Sequence, residues 1–463
     1  MNNKIPKVTI YMPNYNYGKY LEEAVDSVKN QVFKDWELIV IDDGSTDDSV
    51  DVLKKYANEE KITVIHQKNK GLNVTNNVAI RLSRGKYIVR LDADDFIDES
   101  FLLVLSSILD EKQDVGLVFS DFHHVDQSGN IIETIRREKI KNSDQLLDMP
   151  AHGACTMYRK EILMDLGTYD EEFSCQDGYE MWIKFIEEYK PYNINVPLFY
   201  YRQHSASSTK NTVKILDTRR AIEKKFVEAR QNLDINVLGL LLVHESSIYK
   251  QNRPFVKLND KYLIDYPLEE SNSAHFLTNI AVSSSDEGLK NYIKANFPNV
   301  IYVDRNETLR DFNTNNTDIV TDAIKKIEKT TNKKYEAICL LSISTPLLKA
   351  KHIDHAVNTM QVFDVDSVRS VSEELAPCYQ HEVDGLKGIN NSDGNQPRLE
   401  RNAIYKDNGA VLLIKTNNLE DGGIIGKKVG HITMLPEESI KINSDFEFWL
   451  AEQIIANWDN SNH

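Results

Sequence analysis

The segment 86–96, KYIVRLDADDF, is a β-type apolar run that ends in three carboxylates, Asp92, Asp94 and Asp95, within four positions. Like charges this close repel by roughly 1 kcal/mol per pair in water, and by more where water is excluded, so the cluster calls for a compensating cation. Two further stretches carry related chemistry. DDGSTDDS (42–49) puts acids and hydroxyls behind another apolar run, and YDEEFSCQDGYEMW (169–182) places Asp177 and Glu180 where a helical pattern begins. A carboxylate so placed can take a proton from a hydroxyl within about 3 Å. Each motif also has a plainer role, because Ser45, Asp47 or Asp177 can simply cap a helix.

The elements that must position these groups alternate in type. VTIYM (8–12), ELIVI (37–41), ITVIH (62–66), YIVRL (87–91) and VGLVF (115–119) read as buried parallel strands. Between the first two, Leu21, Ala24, Val25 and Val28 share one helix face. Such a βαβ series predicts an open α/β sheet with right-handed crossovers, whose ligands collect at the carboxyl ends of the strands. PNYNYG, DDGSTDD and DADD all fall there. From 203 to 235 the chain turns polar and helical, and a second α/β series follows: VLGLLLVHE (237–245), LTNIAVSSS (277–285), VIYVD (300–304), AICLLSIS (337–344), SVRSVSE (367–373) and AVLLIKT (410–416). The expected organisation is a first α/β domain over 1–210, a helical linker over 211–235 and a second α/β domain over 236–463. The Gly-, Asn- and Asp-rich loop 384–400 reads as a mobile excursion.

In order, VTIYMPNYNYGKYLEEAVDSVKNQ, ELIVIDDGSTDDS, KGLNVTNNVAI and GKYIVRLDADD resemble the family-2 nucleotide-sugar glycosyltransferases of GT-A (Rossmann-like) fold, over about the first 210 residues. The resemblance implies an inverting, metal-dependent transfer of a sugar from a nucleotide diphosphate donor, UDP favoured, to a hydroxyl of a surface glycan or glycolipid. Mn²⁺ or Mg²⁺ is the implied cofactor, because a hard dication offsets the charge of three acids and two phosphates. By the same resemblance Asp94 is the direct metal ligand and Asp92 faces the ribose and the metal. Asp95 is the third member, with capping as its alternative. Pro13, Tyr15 and Asp43 match positions that hold the nucleobase, whereas Asp42 braces the loop. Where relatives carry an Arg, this chain reads Thr75, Asn76, Asn77, so Lys70 is the substitute cation. Asp177 is the expected catalytic base, with Glu180 as the alternative. In LFYYRQHSASST (198–209), Arg202 and His204 are expected at phosphate, and His204 also as a metal ligand. AHGACTMYRKEIL (151–163) walls the acceptor pocket, with Gly153 permitting close approach and His152 either structural or catalytic.

KLNDKYLIDYPLEES (257–271), LLSISTPLLKAKHIDHAV (340–357), YKDNGAVLLI (405–414) and LPEESIKINSDFEFWLAE (435–452) resemble cytidylyltransferases that make CMP-sialic acid, a nucleotidyltransferase-like α/β domain over about 236–456. Three departures remove its chemistry. The loop HESSIYKQNRP has no glycine, with Ser246, Ser247 and Ile248 where Gly, Ser and Lys belong. Lys441 and Asn443 replace the metal-holding acids, and Leu348 replaces a basic residue. Lys250 and Arg253 read as solvated surface. The expectation is an inactive domain kept for assembly, most simply homo-oligomerisation, or for regulation. The alternative is a bifunctional enzyme whose second domain makes a CMP-sugar. A non-catalytic assembly protein is the reading from another class, opposed by the intact DADD and Asp177.

The bulk numbers agree. A chain of 463 residues, 41% hydrophobic and 27% charged, is globular and too long for one core. A net charge of −16 argues against nucleic-acid binding. The N-terminal MNNKIPKVTIYM lacks a signal-peptide core, no apolar run approaches 18 residues, and the four cysteines lack metal-type spacing. These features predict a cytoplasmic protein with reduced thiols, with peripheral contact at the inner face of the cell membrane left open.

Overall fold

A computed structural model describes residues 5–137, 139–140, 148, 150–204, 211–230, 235–243, 253–309, 316–374, 376–383, 385–389, 404–420 and 423–457. The chain divides into two compact units, Met1–Arg219 and Arg220–His463.

In the first unit the order is β1 (Val8–Asn14), α1 (Gly18–Lys29), β2 (Trp36–Asp42), α2 (Ser49–Lys54), β3 (Ile62–His66), α3 (Leu72–Leu82), β4 (Tyr87–Arg90), β5 (Phe96–Ile97), α4 (Phe101–Glu111), β6 (Val115–Val125), β7 (Ile131–Ile135), β8 (Thr156–Arg159), α5 (Lys160–Asp165), α6 (Asp177–Glu188) and β9 (Lys190–Arg202). Strands β3, β2, β1 and β4 lie side by side and parallel. Beyond β4 the sheet continues as β8, β6, β9 and β5, with β7 paired to β6. VGLVF, in β6, runs in the same direction as β1 to β4 and pairs parallel with β9, but the strand inserted between β4 and β6 departs from the all-parallel expectation. Strand β8 runs antiparallel to both β4 and β6, which makes the sheet mixed. Four residues, TMYR, are too few to show strand periodicity in a sequence.

Side chains alternate across this sheet, and both faces are covered. Val8, Ile10 and Met12 join Leu21, Ala24, Val25 and Val28 of α1 in one core. Tyr11, Ile39 and Ile41 join Ile80 of α3 and Trp182 and Phe185 of α6 in the other. Period-2 alternation with apolar residues on both sides is what a central strand between two helix layers requires. Helix α1 starts at Gly18 because the loop after β2 passes directly over it. A Cβ there would stand 2.0 Å from Asp48 Oδ1, and the Gly18 N–H donates to Asp47 Oδ2 at 2.9 Å.

The second unit begins in helix α7 (Thr212–Ala229), within which the division falls. It continues through β10 (Val237–Leu242), β11 (Lys257–Leu258), β12 (Lys261–Tyr262), α8 (Asp265–Ser273), β13 (Leu277–Ser284), α9 (Glu287–Asn296), β14 (Val300–Asp304), α10 (Asn316–Thr331), β15 (Ala337–Leu341), α11 (Ala350–Phe363), β16 (Ser367–Glu374), β17 (Tyr379–Glu382), β18 (Gly385–Gly388), β19 (Ile404–Lys415), α12 (Asn417–Glu420), β20 (Val429–Thr433) and α13 (Asp445–Asn457). Its seven-stranded sheet has the order β14-β13-β10-β15-β19-β16-β20, with β19 antiparallel to its neighbours. Among the described residues no helix is long and apolar enough to cross a membrane. Most of the loop 384–400 lies outside the described residues.

Candidate active site

Two loops at the carboxyl ends of β1 and β2 are zipped together. Asn14 Nδ2 donates to Asp42 Oδ1 and to Ser45 Oγ, each at 3.1 Å, and the Thr46 N–H donates to Asn16 Oδ1 at 2.7 Å. Asp42, held also by His66 at 3.4 Å, braces this loop as expected of it. Asp43 accepts from Gln67 Nε2 at 2.7 Å and from the N–H groups of Lys70 and Gly71 at 2.9 Å each. A carboxylate has about four acceptor sites, so one remains for a ligand. Pro13 is buried opposite Ile41, whereas Tyr15 is 47% exposed beside the same opening. The Lys70 side chain is exposed. The residues that replace the relatives' Arg turn inward: Asn77 Nδ2 donates to the Tyr169 carbonyl at 2.8 Å, and Thr75 bonds Gln67 at 2.9 Å.

The acid turn follows β4. The Asp95 N–H donates to the Asp92 carbonyl at 3.1 Å, which closes the turn. Asp94 Oδ2 and His204 Nε2 are 2.8 Å apart. The His204 ring lies 5.7 Å from both Tyr20, which it stacks on, and Tyr17, which meets it edge-on. Burial, and then the charges of Asp94, Asp92 and Asp95, push the Tyr17 hydroxyl up. Burial also raises the Asp92 carboxyl; the Arg90 cation opposes that shift and the Asp94 charge adds to it.

The three expected metal ligands do not form one cluster. Among the described residues no group of three His, Cys, Asp or Glu side chains is arranged to hold a metal. Asp94 and His204 face each other, while Asp92 is engaged by Arg90 at 2.8 and 3.0 Å. A carboxylate with an imidazole is still a fitting donor set for a dication that takes the rest of its shell from phosphate and water.

Arg202 requires a correction. It was expected at phosphate, but it is 1% exposed and committed to the protein. Its Nε donates to the Asp94 carbonyl at 2.8 Å, its Nη1 to the Asp126 and Gln127 carbonyls at 3.2 and 3.0 Å, and its Nη2 to Glu23 at 2.5 Å. Its own N–H bonds Asp95 Oδ1 at 2.9 Å. A cation spent this way shapes the acid turn from behind; it does not reach a ligand.

Asp177 opens α6 after Gln176, whose φ of 61° turns the chain into the helix. Its carboxylate is ion-paired with Arg90. Glu180 is buried and paired with Lys184 one turn on, and burial raises its carboxyl. Both carboxylates are therefore buried and paired, Asp177 with Arg90 and Glu180 with Lys184. Helix α6 comes this close because two glycines meet: a Cβ on Gly178 would stand 3.0 Å from the Gly153 Cα. The His152 ring packs on Tyr201, Phe199 and Phe122 at 4.7, 5.2 and 5.7 Å, a structural position. Arg90, Tyr17 and Glu23 were missed by sequence reasoning. Only Arg90 carried a signal, as a cation inside an apolar strand that has to find buried partners.

In the second unit Leu348 is buried where a basic residue was expected. Lys441 and Asn443 are exposed, and Asn443 Nδ2 donates to the Lys441 carbonyl at 3.3 Å. Ser246, Ser247, Ile248, Lys250 and the Arg253 side chain lie outside the described residues.

Residues 9–167 match the model of glycosyl transferase family 2, and residues 251–433 match that of the cytidylyltransferases. A chondroitin synthase of Escherichia coli is 32% identical over 51% of this chain and 34% of its own length, so the match spans about a third of that relative. An uncharacterized glycosyltransferase of Methanocaldococcus jannaschii is 31% identical over 42% of this chain and 71% of its own. Among solved structures, S. aureus TarS 1–349 in complex with UDP-GlcNAc aligns with a TM-score of 0.42 and 20% identity, over 50% of this chain and 68% of that one. By its matched segment and by a relative covered over most of its length, the chain belongs to glycosyl transferase family 2.

Proposed function

We propose that the first unit is an inverting, metal-dependent glycosyltransferase that moves a sugar from a nucleotide diphosphate donor, UDP favoured, to a hydroxyl of a surface polysaccharide or glycolipid. The observation that carries this reading is the meeting of the acid turn and the helix bearing Asp177 at one buried guanidinium, Arg90. A polysaccharide product is supported by the relative named a chondroitin synthase.

Tyr15 and Pro13 flank the nucleobase, and the open acceptor site of Asp43 takes a base N–H. Asp94 and His204 would hold Mn²⁺ or Mg²⁺, and Asp92 faces the ribose. When bound, the dication supplies neutralisation of the charge that gathers on the departing diphosphate. Lys70, exposed beside the same loop, adds a cation for the phosphates. Asp177 takes the proton of the acceptor hydroxyl as its oxygen attacks the anomeric carbon from the face opposite the diphosphate, which inverts the centre.

For the second unit we propose an inactive cytidylyltransferase fold that serves homo-oligomerisation. A lysine at a metal position has the wrong sign of charge, and buried Leu348 offers no cation. The deciding experiment is a donor screen by calorimetry, with UDP-, GDP- and dTDP-sugars, each with and without Mn²⁺ or Mg²⁺. The expected result is tight binding of one nucleotide class only with metal. If neither ion improves the uptake of any donor, the reading is rejected.

A further inference from the structure

The buried cation Arg90 has no role in the sequence-level site, yet it touches both halves of it. Its Nε and Nη2 grip Asp92 at 2.8 and 3.0 Å, a two-pronged contact, while Nη1 pairs with Asp177. The side chains are 7%, 25% and 12% exposed respectively. Asp92 follows β4, whereas Asp177 begins α6, eighty-five positions later in the sequence. The two carboxylates therefore belong to different elements, and one guanidinium sets the spacing between them. A planar fork holds both at set angles; an ammonium can also donate to several groups, but its rotatable N–H bonds fix no spacing between them. The wall on the other side is equally fixed. Gly178 stands against Gly153, and a Cβ on Gly153 would lie 3.5 Å from Arg90 Nη2 and 3.7 Å from Asp177 Oδ2.

We propose that Arg90 is the positioning residue that couples donor side to acceptor side, holding the Asp177 carboxylate at a set distance from the Asp92 end of the acid turn. This rests on the reading of Asp177 as the base. Donor binding needs the acid turn alone, whereas transfer needs the turn and Asp177 in register. Loosening Arg90 frees Asp92 as well as Asp177, so donor affinity weakens and turnover falls by more than that weakening accounts for.

The test uses the full chain, a panel of UDP-sugars with Mn²⁺, and UDP release to water as the readout, with donor affinity measured separately by calorimetry. At saturating donor, Arg90→Lys should lower kcat at least ~10-fold while also weakening the donor dissociation constant, because the base is no longer held in register with the acid turn. In the double variant Arg90→Lys/Asp177→Asn, kcat should fall no further than in Asp177→Asn alone, because residues acting as one unit do not add. Gly178→Ala, which leaves Arg90 and Asp92 in place but presses the start of α6 against Gly153, should lower kcat with donor affinity kept, and it decides the matter if Arg90→Lys does not fold. An unchanged kcat in Arg90→Lys or Gly178→Ala, or losses that multiply in the double variant, overturns the proposal while leaving Asp177 as the base. Wild-type kcat in Asp177→Asn, or no turnover with any donor, instead removes the reading beneath it.

Discussion

Asp94 and His204 share a contact of 2.8 Å at the mouth of the acid turn, and neither is part of a hydrophobic core. Asp94→Ala should therefore abolish turnover without unfolding the chain, a result read from UDP release beside a circular dichroism melt. Asp177→Asn should keep donor binding and lower kcat by roughly 10²–10⁴, the usual worth of a positioned base; steady-state kinetics decides it. Arg202 belongs to another class of position. Replacing it with Gln strands the carbonyls of Asp94, Asp126 and Gln127, so unfolding free energy should drop by about 2–4 kcal/mol in urea titration. At this scale the sequence is legible for residue type and not for direction. DADD announces a charged turn, but an arginine that props the turn from behind reads the same as one that grips phosphate. Asp43 poses the same problem, since a carboxylate with three protein donors and one open acceptor site carries the same letter as an empty one.

Elements were legible where periodicity ran long enough to be seen. The parallel strands β1 to β4 and the amphipathic α1 stand where the apolar runs placed them. Strand β8 escaped notice because four residues carry no pattern, and β9 because Asn, Pro and Lys interrupt it. Helix α3 shows what tertiary context adds. Two of its asparagines, Asn73 and Asn77, the latter among the residues read as replacing a phosphate-binding Arg, are latches for the segment before α6: Asn73 Nδ2 donates to the carbonyls of Asp170 and Phe173 at 2.7 and 2.9 Å, and Asn77 Oδ1 accepts from the Tyr169 N–H at 3.0 Å. Asn77→Ala should cost about 1–3 kcal/mol of stability by leaving buried backbone groups unpaired, and chemical denaturation checks it.

At the scale of the whole molecule, two sheets of different order mark two units, and the division after Arg219 falls inside the stretch 211–235 read as a helical linker. The second unit carries an acid-sensitive link. His352 Nδ1 accepts from the Lys349 N–H at 3.1 Å, so its Nε2–H donates to Glu438 at 3.1 Å and the ring is held neutral. Burial lowers the imidazole from its ordinary value, and although burial works the other way on Glu438, His352 and Lys351 outweigh it and bring that carboxyl down to about 2. Both groups then bind fewer protons folded than unfolded. Stability is full above the unfolded imidazole pKa of about 6.5, declines as pH falls below it, and declines again from about 4.3 towards 2. Urea titrations from pH 7.5 to 4.5 should show the first decline, and His352→Gln should flatten it. The same full chain should release no pyrophosphate from CTP and a nonulosonic acid, since Lys441 and Leu348 stand where the chemistry needs other charges. The paired glycines at 153 and 178 also constrain how this lineage can diverge. Mutation's smallest step from glycine is one methyl, which at 178 meets main chain and at 153 would rest against Arg90 and Asp177. A methyl at 178 therefore has to push backbone aside, whereas one at 153 finds ordinary contact, so only one of the pair is closed to substitution.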